Sequence, residues 1–213
     1  MPELTASVLP LMVMMFVTSI TPGPNNLMLM LAGTRFGFVR TLPHLAGVSL
    51  GGALVICLTY AGLGTVMLRS PRFVDAMSVA CAAYLVWLAA RLLRPASPAG
   101  GRGAAQSGTV AEPRPMRFTE AVMFQFVNPK VWSMGLAAAS IAGRFPLRPS
   151  ATLAVVAVVV VCVNSPCVAL WAAFGKVMRR HLEHAGTRRW FDGAMAVLIV
   201  ATAAWILRPV FGA

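Results

Sequence analysis

Two proline-centred breaks, TPGPNN at Thr21 to Asn26 and NPK at Asn128 to Lys130, each interrupt an apolar run long enough to cross a lipid bilayer. That combination restricts the fold more than any other feature of the chain. An unpaired backbone N–H or C=O costs several kcal/mol in hydrocarbon, so a helix interrupted at that depth must be buried in protein or line a polar cavity. One break in each half of the sequence points to a path for a polar solute.

Runs of ~20 apolar residues, the length a helix needs to span a bilayer, fall at six places, about 7–32, 44–67, 73–93, 118–142, 150–175 and 191–212. Composition agrees: 58% of the 213 residues are hydrophobic and 11% charged, too few polar groups to cover a soluble domain. The longest connection contains RPASPAGGRGAAQSG, which is linker chemistry and cannot build a core. The flank MPELTAS carries Glu3 and no Lys or Arg, so the first run is expected to stay as a span rather than act as a secretory signal. Residues 1–213 are therefore read as a single transmembrane domain: a first three-helix repeat at 1–93, a cytoplasmic linker at 94–117 and a second repeat at 118–213.

An odd number of spans per half turns the second half upside down in the membrane. The expected fold is an all-α integral membrane protein of six transmembrane helices, arranged as two inverted three-helix repeats with broken first and fourth helices. AAYLVWL from Ala82 and AAWIL from Ala203 echo one another in the last span of each half.

The net charge of +12 would suggest nucleic acid as a partner for a soluble protein. Here the cations cluster by topology. Arg35 and Arg40, then Arg91 to Arg117, then Lys176 to Arg189 mark alternate loops, and the positive-inside rule puts those loops in the cytoplasm and both termini outside it. The run GKVMRRHLEHAGTRR is expected to meet anionic lipid headgroups; it lacks the interleaved aromatics of single-strand binders, and no nucleic-acid partner is expected.

At the first break, Pro22 and Pro24 remove two backbone donors and Gly23 frees the dihedrals between them, so the helix must stop and restart. The restarted half would present the N–H groups around Asn25, Asn26 and Leu27 as a site for a carboxylate, with the two Asn amides orienting a polar ligand. The competing reading is a plain proline kink whose loosened backbone the Asn side chains satisfy. At the second break, Lys130 falls about halfway along its span, where a lysine costs ~2.5–3.5 kcal/mol on insertion scales and is functional by default. It could attract a substrate carboxylate, with Gln125, Asn128 and Pro129 on the approach, or it could snorkel or pair with a freed carbonyl.

Weaker signals lie elsewhere. Gly47, Gly51 and Gly52 form a small-residue face for close helix packing, and such faces permit a homodimer without requiring one. Asn164, Ser165 and Pro166 read as a third polar break. Tyr84 and Trp87 fit interfacial aromatics and cavity walls equally. Cys57, Cys81, Cys162 and Cys167 fall in spans without a CxxC pair and read as free packing thiols. His44, His181 and His184 are too scattered for a metal site, and no metal or other cofactor is expected.

TPGPNNLMLMLAG, LAGVSLGG, AAYLVWLAARLLR and FTEAVMFQFVNPKVW, in this order and spacing, resemble the LysE/RhtB family of bacterial amino-acid exporters, and the surroundings of TPGPNN, FQFVNPK and WAAFG are most similar to its cysteine/O-acetylserine branch. The resemblance covers nearly the whole chain. It implies a six-helix inner-membrane exporter of amino acids or close derivatives, driven by the proton gradient, with the family's proline motif on Pro22, Gly23 and Pro24 and its Asn-Pro-Lys motif on Asn128, Pro129 and Lys130. Two departures stand out. Many members carry Asp directly after PGP and an acid in the second span, where this chain has Asn25 and, approximately, Gly52.

If transport is proton-coupled, some other group must carry the proton, and Asp75 or Glu120 is the expectation from the remaining acids. A site with two helix N-termini and Lys130 but no acid near midplane suits a small neutral amino acid better than a cationic one. The main alternative is a membrane-embedded thiol-disulfide electron carrier, which needs two apposed reactive cysteines. An enzyme is not expected, because the spans hold no nucleophile–base or metal-ligand constellation.

Overall fold

The computed structural model describes residues 2–93, 114–182 and 184–211, and all regular structure within them is helical. Helix α1 (Pro2–Ile20) and α2 (Pro24–Phe36) are bent by 54° at the first break. Helix α3 (Phe38–Leu58) runs through a π turn at Thr59–Leu63 into α4 (Gly64–Arg69), followed by α5 (Pro71–Leu93). The second half holds α6 (Phe118–Val127), α7 (Pro129–Ala142), α8 (Pro149–Arg179) with a terminal 3-10 turn, and α9 (Ala185–Phe211).

Four stretches, Phe38–Arg69, Pro71–Leu93, Pro149–Leu182 and Gly186–Phe211, are long and apolar enough to cross a bilayer, and the bent α1–α2 pair makes a fifth if it is one span. Helices α6 and α7, with 10 and 14 residues, are each too short to cross alone. Both breaks fall where proline chemistry placed them. The third does not form: α8 is continuous through Pro166. One missing N–H is tolerated there because neighbouring helices and side chains can satisfy the freed carbonyl. The linker expected at 94–117 lies outside the described residues except for 114–117, which have no regular structure.

The helices pack as α2 on α8, α5 on α9, α3 on both α6 and α8, and α1 on α8 and α7. One apolar cluster joins α1, α3, α7 and α8 through Leu11, Met15, Ile56, Met134 and Val156; a second joins α2, α5 and α9 through Leu27, Leu31, Leu85 and Ile199. Close approach requires glycine at two points of the α2–α8 crossing. A Cβ on Gly33 would lie 2.1 Å from the Ala172 carbonyl oxygen, and one on Gly175 would lie 2.0 Å from that of Met30. Large side chains on the outer surface, among them Phe16, Val197 and Trp205, are exposed and apolar, as expected of helices that face lipid.

Candidate functional site

The two breaks meet. Around them is a small cavity of ≈ 30 Å³, lined by Thr18, Ser19, Gly23, Asn25 and Asn26 from the first break and by Gln125, Asn128, Lys130, Val131 and Met134 from the second. Helix α3 closes it with Val48, Gly52 and Ile56, and α8 with Val160, Asn164 and Val168. Both sets recur every four residues, which is one helix face in each case.

The first break leaves the last carbonyls of α1 without intrahelical donors. Other residues supply them. The Asn26 amide donates to the Ser19 and Thr21 carbonyls, 2.8 Å each, and the Trp171 indole N–H to that of Ile20 at 3.2 Å. The Lys130 ammonium reaches the same point from α7, donating to the Thr21 carbonyl at 3.0 Å, the Thr21 hydroxyl at 3.1 Å and the Pro22 carbonyl at 3.4 Å. Its side chain lies directly over Gly23, where a Cβ would meet Lys130 Cδ and Nζ at 3.0 Å. In this structure the lysine is thus both a cavity wall and a cap on a helix C-terminus, a favourable place for a cation.

At the start of α2, Pro24 occupies the first helical position and the Leu27 N–H already bonds the Gly23 carbonyl at 3.0 Å. The free donors expected around Asn25, Asn26 and Leu27 therefore exclude Leu27. Asn25 and Gln125 form a reciprocal amide pair, Asn25 Nδ2 to Gln125 Oε1 at 2.7 Å and Gln125 Nε2 to Asn25 Oδ1 at 3.2 Å, which ties α2 to α6. Gln125 is fully buried and also donates to the Ala121 carbonyl.

The second break is one residue wide. Asn128 caps α7, its side-chain oxygen accepting the Lys130 N–H at 3.1 Å, and the Trp132 indole donates to the Phe126 carbonyl at 2.9 Å. Asn128 Nδ2 is buried without a partner among the described residues. Asn164, expected in a third break, instead projects from intact helix, donating to Ser19 Oγ at 3.0 Å, while Ser49 Oγ lies 3.5 Å from its oxygen.

Every residue expected to hold substrate except Pro22, Pro24 and Pro129 thus lines the cavity, and those three flank it. Asp75 and Glu120 do not line it. Glu120 sits on the first turn of α6, where its carboxylate accepts two bonds from the Arg114 guanidinium and one from the Arg117 N–H. Of the second-span glycines, Gly47 and Gly51 press against α6, whereas a Cβ on Gly52 would meet nothing within 4 Å. Gly52 therefore gives the cavity its room. Tyr84 stacks on Trp87 and Phe124 away from the cavity, and the four cysteines are free and absent from its lining.

Sequence reasoning overlooked Trp171, Ser19 and Thr18. Their only signal was position: Thr18 and Ser19 immediately precede the break, and Trp171 lies seven residues, two helical turns, beyond Asn164.

A family model described as LysE type translocator matches residues 16–208. The cysteine/O-acetylserine efflux protein of Salmonella choleraesuis (strain SC-B67) is 31% identical over 188 residues, covering 86% of this chain and 89% of the relative. That of Escherichia coli (strain K12) is 29% identical over 185 residues with the same coverage of each. No solved structure matches the chain.

Proposed function

The chain belongs to the LysE type translocator family, and from that premise we propose that it exports small neutral amino acids or their derivatives, of the cysteine/O-acetylserine kind, across the bacterial inner membrane. It is a multi-pass membrane protein and a translocator rather than an enzyme. The observation that carries the substrate reading is the Lys130 ammonium in the cavity wall, bonded only to backbone and hydroxyl oxygens of the first break. A substrate carboxylate can replace those oxygens with a charge-assisted partner. Asn25, Asn26, Gln125 and Asn128 supply neutral amides for the rest of the substrate, and no acid among the described residues lines the cavity to favour a cationic side chain.

At ≈ 30 Å³ the cavity has room for about one water. Substrate entry therefore requires the walls to part, and the 54° bend between α1 and α2 is the natural hinge. The inverted repeat would supply the motion. Exchanging the two halves, with α6–α7 as a broken fourth span, sends the α1–α8 pairing onto α6–α3 and leaves α5–α9 and α3–α8 unchanged, and all of these pairings exist. That pattern supports two inverted three-helix units rocking about a central site. With the basic loops in the cytoplasm, as the positive-inside rule has it, export would run toward the side of both termini, in antiport with protons.

The test is counterflow in vesicles holding the purified protein: labelled cysteine or O-acetylserine should accumulate against an unlabelled internal pool. Lysine should not compete, and Lys130→Ala should reduce the rate ~100-fold, the effect of losing ~2.7 kcal/mol of interaction. Lysine competing as well as serine, or an unaffected Lys130→Ala, would refute the reading.

A further inference from the structure

We propose that His44 is the group that binds the coupling proton, a reading that rests on the proposed export activity and assigns a proton site to it. His44 is 2% exposed, and neither ring nitrogen has a hydrogen-bond partner among the described residues. A neutral imidazole has one donor and one acceptor, and leaving both unmet in a buried place is costly unless the site serves something else.

Its position says what. His44, Val48, Gly52 and Ile56 follow one another at four-residue spacing on α3, and the last three line the cavity. The imidazole therefore lies one turn, ~6 Å along the axis, beyond the cavity wall on the same face. It lies toward the end of α3 near Arg35 and Arg40. Gly47 packs on Phe118 and Ala121 and Gly51 on Val122 and Gln125, so the next turn of α3 is level with the start of α6.

The charged surroundings are few. From α6, Glu120 stands on the first turn, where its partners are Arg114 and the Arg117 N–H. From α2, Arg35 faces Asp192 at 3.7 Å; from α7, Lys130 is bonded to Thr21 and Pro22; from α8, exposed Arg179 lies beside Gly37 at the start of α3, and Lys176 of α8 and Arg40 of α3 are exposed. No described cation is paired with the ring, and the Glu120 carboxylate stands on the side from which a proton would leave.

The step conserves protons. A proton arriving through the open cavity adds to the vacant lone pair of one ring nitrogen and gives an imidazolium. After the walls change sides, one ring N–H proton passes to water beside Glu120, restoring the neutral ring and one vacant lone pair. Asn25 and Gly52 place no carboxylate in the cavity, and Lys130 in its wall is engaged with Thr21 and Pro22; among the described residues His44 is the buried ionisable side chain on the same face of α3 as Val48, Gly52 and Ile56.

The experiment compares His44→Gln with the unaltered protein in vesicles, by two assays. Exchange of labelled for unlabelled O-acetylserine needs no net proton movement and should stay within twofold in both proteins. Accumulation driven by an imposed pH gradient should fall at least tenfold in His44→Gln, and its dependence on pH between 5.5 and 8 should flatten. Intact exchange with undiminished gradient-driven accumulation in His44→Gln would overturn the assignment while leaving the export function standing; absence of exchange in the unaltered protein would instead defeat the export reading. Should His44→Gln not fold, His181→Gln/His184→Gln leaves His44 as the sole histidine, whose ring resonance should titrate and shift on adding O-acetylserine. A resonance unmoved by pH or substrate would overturn the proposal.

Discussion

The two breaks share proline and asparagine and solve the same problem differently. At the second, one residue separates the half-helices, and its loose ends are answered within the segment: Asn128 caps α7 and Trp132 serves the Phe126 carbonyl. At the first, three residues separate the half-helices, and the carbonyls of Ile20, Thr21 and Pro22 depend on Trp171 from α8 and Lys130 from α7 as well as on Asn26. A self-capped break behaves as a fixed joint. A break capped by other helices changes whenever those helices move, so under the proposed function it is the first break that would answer to substrate and the second that would deliver the lysine to it.

The most severe way to disturb this contrast is to part α2 from α8. Gly175→Ala puts a Cβ into the Met30 carbonyl, and the backbone contact offers no flexible atom to yield. Overpacking of this kind costs ~1–3 kcal/mol or more, so the variant should lose most of its folded fraction, read as a collapsed monodisperse peak in detergent. A moderate and more discriminating pair is Trp171→Phe against Trp132→Phe. Each removes one indole donor worth ~1 kcal/mol of stability, but only Trp171→Phe uncaps the first break. Thermal midpoints should fall alike, while counterflow should slow about tenfold for Trp171→Phe and no more than twofold for Trp132→Phe. Equal slowing would erase the distinction between the breaks. The smallest effect belongs to Gly52→Ala, whose new Cβ meets nothing within 4 Å. Stability should be unchanged or rise by up to ~1 kcal/mol, because alanine replaces glycine inside a helix without a clash, and the loss of transport should fall on the bulkiest substrates first, visible as a changed order of competition among serine, cysteine and O-acetylserine.

The location of both breaks was legible because proline and glycine act on the backbone within a residue or two of themselves. The helical character followed from run length, and the closeness of Gly47 and Gly51 to a neighbour from their small-residue face. What escaped was mostly non-local. Lys130 bonds oxygens 109 and 108 residues away, and nothing in its own segment chooses between a substrate, a freed carbonyl or snorkelling. Pro166 read as a break but is carried by the unbroken frame of α8. His44 looked isolated beside His181 and His184; its register with Val48, Gly52 and Ile56 was in the sequence, but its burial without partners was not.

A carboxylate seated in the first break against Lys130, as proposed, should make counterflow of serine and of serinamide, which has a neutral amide in place of the carboxylate, respond differently to Lys130→Met. A preference for serine of about a hundredfold in the unaltered protein should disappear in Lys130→Met, since one charge-assisted contact is worth ~1.5–3 kcal/mol. An equal preference in both proteins would place the carboxylate elsewhere and leave Lys130 as a cap on α1 alone.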